Sequence, residues 1–119
     1  MNVLKELSGS FFIWRYKMVV YLYKWKIKSD KEKQFQDSWC FVTKELRDNA
    51  NSLGSRLHKG SDGLWYGYAQ WPDIDARDKV NIIHKEMEKA RTQMRDAIEE
   101  SYPYVVLHPV HDYLVKPNS

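Results

Sequence analysis

The sequence predicts a small α+β domain in which four antiparallel strands form one sheet and two helices cover one of its faces. Residues 18–27 and 64–71 alternate their side chains with the two-residue period of a strand. Residues 35–46 and 76–97 repeat apolar side chains at spacings of three and four, as helices do. Between these segments, GSDG at residues 60–63 has the turn chemistry of a β-hairpin. The predicted order is therefore βαββαβ, two split βαβ units.

The first strand is predicted at residues 18–27, MVVYLYKWKI, because β-branched and aromatic residues dominate it. Its alternation places five side chains on one face of the sheet: Val19, Tyr21, Tyr23, Trp25 and Ile27. Residues 1–17, which precede it, are predicted to form an N-terminal arm, and residues 18–119 the domain.

The first helix is predicted to begin at Ser29, because Glu32 three residues later completes a capping box. Its apolar stripe has helical spacing and consists of Phe35, Trp39, Val42 and Leu46. We expect this helix to end near residues 49–51 and Cys40 to be a small core residue on it.

A β-hairpin is predicted to follow, with residues 53–59 as its first strand and LWYGYAQW, residues 64–71, as the returning strand. Pro72 ends it, since proline has no amide hydrogen to donate to a neighbouring strand. The returning strand has two distinct faces. One carries Trp65, Gly67, Ala69 and Trp71, and the other carries Tyr66, Tyr68 and Gln70.

The second helix is predicted after Pro72, with Asp73 or Asp75 as its N-cap and a break near Asn81. Its apolar stripe is Ala76, Val80, Ile83, Met87, Ala90, Met94 and Ala97. Tyr102-Pro103 is expected to close it, because the residue before a proline avoids helical geometry. The last strand is then predicted at residues 104–115, interrupted by Pro109.

The simplest closure of these elements is the ferredoxin-like arrangement, which leaves one face of the sheet without helices. That face would carry Tyr66, Tyr68 and Gln70, with Arg56 and His58 on the neighbouring strand. A second copy that packs its own sheet there would cover both faces. We therefore predict a homodimer through the sheet faces.

Composition excludes several other classes. The formal net charge is +3, and Lys24, Lys26 and Lys28 alternate along a strand instead of clustering, which does not fit a nucleic-acid surface. The apolar run at residues 11–14 is far shorter than a membrane span. With Cys40 as the single cysteine there is no internal disulfide, which predicts a cytoplasmic protein.

The segment SLGSRLHKGSDGLWYGYAQWP, residues 52–72, placed after a strand and an amphipathic helix, resembles the antibiotic biosynthesis monooxygenase-like family of the dimeric α/β-barrel superfamily. The resemblance extends over residues 18–115, and Trp71 matches a tryptophan that recurs at the strand end in that family. It implies a pocket in each subunit between the sheet and the helices.

The resemblance also implies chemistry, of which two kinds are known in the superfamily. One is cofactor-independent oxygenation of polycyclic phenols and anthrones, which needs a dry aromatic pocket and hydrogen-bond donors for an enolate or phenolate. The other is oxidative haem degradation. The predicted catalytic residues are Trp71, His84 and Arg91, and the predicted pocket lining is Trp65, Trp39, Phe35 and Met87. No cofactor and no metal ligand set are predicted.

The sequence departs from the family pattern at two positions. The polyketide monooxygenases have an asparagine four residues before the tryptophan, where this chain has Gly67, and the haem-degrading members have an asparagine on the first strand, which MVVYLYKWKI lacks. Three readings stay open: a monooxygenase for a planar aromatic or quinone-like molecule, a non-catalytic barrel that binds a small apolar ligand, and a haem-binding protein. Each named side chain also has a purely structural reading: core tryptophans at Trp65 and Trp71, a boundary histidine at His84 and a solvated arginine at Arg91.

Overall fold

Residues 17–115 are described in a computed structural model of the chain. The elements are β1 (Val19–Ile27), α1 (Glu32–Asn49), β2 (Gly54–Lys59), β3 (Trp65–Trp71), α2 (Ile74–Asp78), α3 (Lys85–Ala97) and β4 (Ile98–Leu107). The four strands form one antiparallel sheet in the order β2-β3-β1-β4. This confirms the predicted ferredoxin-like fold. The predicted N-terminal arm lies outside the described residues except for Lys17.

The core lies between the helices and one face of the sheet. On β3 the residues Trp65, Gly67, Ala69 and Trp71 are all buried, whereas the residues between them are partly exposed. Phe35 of α1 is fully buried, and its ring meets Trp25 and Trp65 edge-on, with centroids 5.2 and 5.8 Å apart. Such edge-to-face contacts add to the area that each large ring buries. The helices therefore cover the Trp65 face of β3, which is one of the two sets of side chains that the alternation separates.

The start of α1 differs from the prediction. Residues Ser29–Lys31 form a single 3₁₀ turn, and α1 begins at Glu32 with no side chain hydrogen-bonded at its N-cap. The capping box does not form because Ser29 lies inside that turn, in which the Lys31 amide donates to the Lys28 carbonyl. The end of α1 at Asn49 is as predicted.

Cys40 is exposed, so its predicted place in the core was wrong. The helical period explains this, because Cys40 shares its face of α1 with Gln36 and Lys44, one turn away on either side. Both of those side chains are exposed as well. The buried residues of α1 lie on the opposite face and are Phe35, Ser38 and Val42.

The second helical segment is broken as predicted, with α2 and α3 separated by residues 79–84. Asp73 caps α2, because its Oδ1 accepts a hydrogen bond of 2.8 Å from the Ala76 amide. The helix does not run on to Tyr102, however. It ends at Ala97, and β4 begins at once with Ile98 in an extended conformation.

The boundaries predicted for the last strand were therefore wrong, and the pairing of β4 explains why Pro103 lies inside it. β4 is an edge strand that pairs only with β1 in the sheet of the described residues, so its outer side needs no amide donors. Leu22 pairs with Val105 and Lys24 with Tyr102, so two residues of β4 lie opposite Tyr23 alone. This is a β-bulge, and it accommodates the proline.

The face of the sheet opposite the helices is partly exposed in the chain alone. Arg56 and His58 are exposed there, Tyr66, Tyr68 and Gln70 are partly exposed, and Val105 and Leu107 of β4 expose 52% and 39% of their surface. Residues 108–115 continue beyond β4, and Leu114 borders a groove with Tyr68 and Gln70. None of the helices within residues 17–115 combines the length and the apolar character needed to cross a bilayer.

The hairpin supplies a test of pH dependence. The Tyr66 hydroxyl donates to Asp62 Oδ2 and the Leu64 amide donates to Asp62 Oδ1, and these bonds hold the pKa of the Asp62 carboxyl below its ordinary value. A lowered folded-state pKa means that the interaction stabilises the hairpin above the unfolded-state pKa and is lost as the pH falls through the folded one. Tyr66→Phe should return the Asp62 pKa toward its ordinary value in a carboxyl NMR titration. An unchanged Asp62 titration in this variant would contradict the assignment.

Candidate functional site

A cavity of about 440 Å³ lies between the helix-covered face of the sheet and the helices. Aromatic and aliphatic side chains form most of its wall, and a few polar groups border it. The apolar residues are Tyr23, Trp25, Trp39, Val42, Leu46, Ala69, Trp71, Val80 and Met94, with Gly67 beneath them, and the polar ones are Thr43, Ser55, Arg77, Asp78 and Arg91. A mostly apolar pocket of this size with a few converging polar groups is suited to a small ring compound.

Trp71 and Trp39 reach this cavity from different layers of the fold. Trp71 is the last residue of β3, pairs with Val19 across the sheet and is only 4% exposed. Trp39 is partly buried on the apolar stripe of α1. Both side chains line the cavity, so the sheet and the helix layer each present a tryptophan to it.

Arg91 also lines the cavity, and its Nη1 donates two hydrogen bonds. It donates to the Ile82 carbonyl at 2.9 Å and to Glu88 Oε2 at 2.8 Å. The first bond ties α3 to the segment between α2 and α3, and the second is an ion pair one turn back on the same helix. Much of the charge of Arg91 is therefore compensated within the chain.

His84 lies at the N-terminus of α3, outside the residues that line the cavity. Its Nδ1 accepts a hydrogen bond of 3.2 Å from the Met87 amide, which makes it the N-cap of the helix. Its Nε2 lies 2.9 Å from Glu45 Oε1 on α1. The imidazole thus joins the two helices at one edge of the layer.

Of the residues predicted to line the pocket, only Trp39 borders the cavity. Trp65 and Phe35 are buried in a neighbouring cluster with Trp25, Ile27 and Ala97. Met87 is fully buried in another cluster between α1 and α3, with Val42 and Ala90. Each cluster includes one residue that does line the cavity, Trp25 in the first and Val42 in the second.

Gly67 faces the cavity and has no room for a side chain. A Cβ placed on it would lie 2.8 Å from Trp25 Cη2 and 3.1 Å from Cζ3, because the indole of Trp25 leans across from β1 onto the glycine. The asparagine that the polyketide monooxygenases have at this position would collide with that ring. The indole of Trp25 therefore occupies the space into which such an amide would project.

Arg77, which the sequence patterns did not single out, lines the cavity from α2. Its guanidinium carbon lies 4.8 Å from the ring centre of Tyr21 and 5.6 Å from that of Tyr104. Its Nη2 donates a hydrogen bond of 3.3 Å to the Tyr23 hydroxyl. Two of these tyrosines alternate on β1, and the β-bulge brings Tyr104 beside them, with its ring 5.6 Å from each.

The surroundings of Arg77 favour its charged form. Burial alone would lower the pKa of Arg77, but the hydrogen bond from Arg77 to the Tyr23 hydroxyl and the nearby tyrosines outweigh burial, so that the pKa lies above its usual range. Burial raises the pKa of the Tyr21 phenol, although the Arg77 charge acts in the other direction. The cavity therefore has a permanent cation on its wall beside a neutral phenol.

The described residues 17–115 contain no group of three or more histidine, cysteine, aspartate or glutamate side chains that could hold a metal ion. Among the described residues that line the cavity, none is a histidine. The polar groups available for chemistry there are two guanidinium groups, one carboxylate, two hydroxyls from serine and threonine, the Tyr23 phenol and the indole nitrogens.

The contact of Trp25 with Gly67 can be tested by substitution. Gly67→Ala should lower the free energy of unfolding by about 1–3 kcal/mol, because an added methyl group overpacks a filled site. Ser55→Ala, on the neighbouring strand and also lining the cavity, should change it by less than about 0.5 kcal/mol, since it adds no atom. Urea unfolding of the two variants checks this. Equal stability of Gly67→Ala and the wild type would contradict the contact.

Comparison with known proteins identifies relatives by fold and not by sequence. No protein-family model matches the sequence, and no curated protein matches it. Solved structures do match. SnoaB, a cofactor-independent oxygenase from Streptomyces nogalater, superposes with a TM-score of 0.67 at 12% identity and covers 82% of this chain and 97% of its own.

Two further structures superpose similarly. A candidate antibiotic biosynthesis monooxygenase from Nitrosomonas europaea gives a TM-score of 0.67 at 11% identity and covers 84% of this chain and 97% of its own. A protein from Mycobacterium tuberculosis gives 0.65 at 13% identity and covers 82% and 99%. The chain therefore has the fold of the antibiotic biosynthesis monooxygenase-like proteins, in agreement with the resemblance seen in residues 52–72.

Proposed function

We propose that the protein is a cofactor-independent monooxygenase of the antibiotic biosynthesis monooxygenase-like family, acting on a planar aromatic or quinone-like small molecule. The observation that carries this proposal is the cavity of about 440 Å³, walled by three tryptophans and bordered by two guanidinium groups. The fold shared with a cofactor-independent oxygenase supports it.

The proposed reaction matches the groups present in the cavity. Triplet oxygen reacts slowly with closed-shell molecules, so the substrate must first lose a proton to become an electron-rich anion. For an anthrone, the anion passes an electron to O₂, the ring carbon forms a peroxide, and loss of water leaves a quinone. Asp78 is the carboxylate on the cavity wall that accepts the proton, and the guanidinium of Arg77 stabilises the anion.

The predicted catalytic residues divide between two roles in this proposal. Trp71 packs against the flat substrate, and Arg91 holds the segment between α2 and α3, whose Val80 lines the cavity. His84 positions α3 through its contacts with the Met87 amide and Glu45, at a distance from the substrate.

Neither of the other two readings is favoured by a contact in the cavity. Haem bound there would find no histidine among the described lining residues to coordinate its iron. A protein that only binds an apolar ligand would have no use for a carboxylate and two guanidinium groups on the wall.

The protein is further proposed to be a homodimer through the open sheet face and to be cytoplasmic. Val105 and Leu107 are exposed on β4, and Tyr66 and Tyr68 on the open face are only partly covered. A second copy would bury this patch against the same patch of its partner, as in a two-fold interface. The exposed free thiol of Cys40 fits a reducing compartment.

Oxygen uptake with an anthrone tests the catalytic proposal. The wild type should consume O₂ and release the quinone, and Trp71→Phe should lower kcat/KM about tenfold or more, because a smaller ring holds the flat substrate less firmly. Trp65→Phe is the matched control, since it makes the same change on the same face of β3 outside the cavity lining. No quinone above the uncatalysed rate, across a panel of anthrones and hydroquinones, would overturn the proposal.

The dimer is tested by light scattering after size exclusion. The chain of 14.3 kDa should elute with twice that mass. Tyr68→Arg should shift it toward the monomer by placing a charge in the buried interface. Phe41→Arg, which replaces an exposed aromatic residue on α1, should leave the dimer intact. A wild-type protein that is monomeric at all concentrations would contradict the proposed dimer.

A further inference from the structure

Arg77 is held in the cavity wall mainly by aromatic rings. Its guanidinium lies against the faces of Tyr21 and Tyr104, and within residues 17–115 it donates a hydrogen bond to the Tyr23 hydroxyl. The neighbouring carboxylate oxygen, Oδ1 of Asp78, is 3.9 Å from Nη1, which is beyond hydrogen-bonding distance. Because a guanidinium has five N–H donors, most of the hydrogen-bonding capacity of Arg77 stays available to a ligand.

Arg91 differs from Arg77 in this respect. Its Nη1 donates at 2.8 Å to the Glu88 carboxylate and at 2.9 Å to the Ile82 carbonyl. An anion that approaches Arg91 would compete with a carboxylate already in contact with it. At Arg77 the guanidinium contacts neutral rings and a phenol. Among the described residues no carboxylate is hydrogen-bonded to Arg77, so an anionic ligand would not have to displace one.

The tyrosines also fix the orientation of Arg77. The two rings that pack against the planar guanidinium restrict its rotation. The hydrogen bond to Tyr23 sets the direction in which the remaining N–H donors of the guanidinium point. A carboxylate or phenolate in the cavity would therefore bind a cation that needs little reordering. Arginine in such a setting binds planar anions through two parallel hydrogen bonds.

We propose that Arg77 binds an acidic substituent of the ligand, so that the cavity selects planar aromatic anions over neutral aromatics of the same shape. The acid lies at Arg77 and the rings extend toward Trp71 and Trp39, which line the same cavity. This inference rests on the proposed function for the ring-binding cavity and adds the chemical class of the ligand: an aromatic carboxylate or an ionised phenol.

Binding of a matched acid and amide tests this inference without any turnover. The probes are 2-naphthoic acid and 2-naphthamide at pH 7, followed by tryptophan fluorescence, because three cavity residues are tryptophans. The wild type should bind the acid about 10–100-fold more tightly than the amide, as expected for a hydrogen bond to a charged group. Arg77→Gln should reduce that preference to about one while leaving the affinity for the amide within roughly twofold.

Two further variants serve as controls. Arg77→Lys keeps the positive charge and loses the planar pair of N–H donors, so it should retain part of the preference for the acid. Arg95→Gln, on the exposed side of α3, removes the same charge outside the cavity and should keep the full preference. Circular dichroism establishes whether each variant is folded. If Arg77→Gln does not fold, Arg77→Lys replaces it in the test.

The outcomes separate this inference from the proposed function. Equal binding of acid and amide by the wild type would overturn the inference and leave the aromatic cavity standing. A preference for the acid that disappears in Arg91→Gln and survives in Arg77→Gln would overturn it as well. Binding of neither probe, or of any larger tricyclic analogue of the pair, would overturn the proposed function and this inference with it.

Discussion

The Trp25 indole packs against Gly67, and this contact determines the shape of the whole site. The ring leans from β1 onto a residue of β3 that has no side chain, with two ring atoms 2.8 and 3.1 Å from where a Cβ would be. Tyr23 stacks parallel to the same indole, with ring centroids 5.6 Å apart. The aromatic residues of β1 therefore lie along the sheet, and the space above them forms the cavity under the helices. Any side chain at Gly67 would lift the indole into that space.

In the proposed function, a cation takes the part that an amide has in the polyketide monooxygenases. Where the polyketide monooxygenases have an asparagine, the Trp25 indole fills the floor of the cavity. In the proposed site the hydrogen-bond donors come instead from the rim, where Arg77 lies against Tyr21 and Tyr104. The polar end of the proposed site thus lies at the boundary between the sheet and α2, and its donor is charged.

The sequence predicts the sheet well and the rim of the cavity poorly, for physical reasons. Alternation in LWYGYAQW is sufficient to place Trp65 and Trp71 in one set of side chains, because the period of a strand leaves only two choices, and the pairing of β1 with β3 adds Trp25 to that face. Helical spacing predicts α1, and the length of the second apolar stripe predicts the break near Asn81. Such periods are properties of single elements and are visible without the fold.

Arg77 and Tyr104 depend on contacts between elements. Arg77 lies on a helix of only five residues, which is too short for a period, and Tyr104 reaches it through a bulge opposite Tyr23. In the sequence Pro103 predicts the end of a helix, whereas in the fold it marks this bulge in an edge strand. A proline followed by an aromatic residue in a possible edge strand is the one signal that could have indicated it. His84 shows the converse case, since the sequence predicts a catalytic imidazole on the second helix, whereas in the fold the ring caps α3 and is hydrogen-bonded to Glu45.

In the proposed binding mode, an acidic aromatic molecule lies between Trp71 and Trp39 with its acid at Arg77. A crystal structure of the protein with 2-naphthoic acid is the decisive measurement. We expect electron density for the rings in the cavity and two carboxylate oxygens within about 3 Å of the Arg77 nitrogens. Density for the ligand on the open face of the sheet, or in the cavity with its carboxylate pointing away from Arg77, would contradict this binding mode.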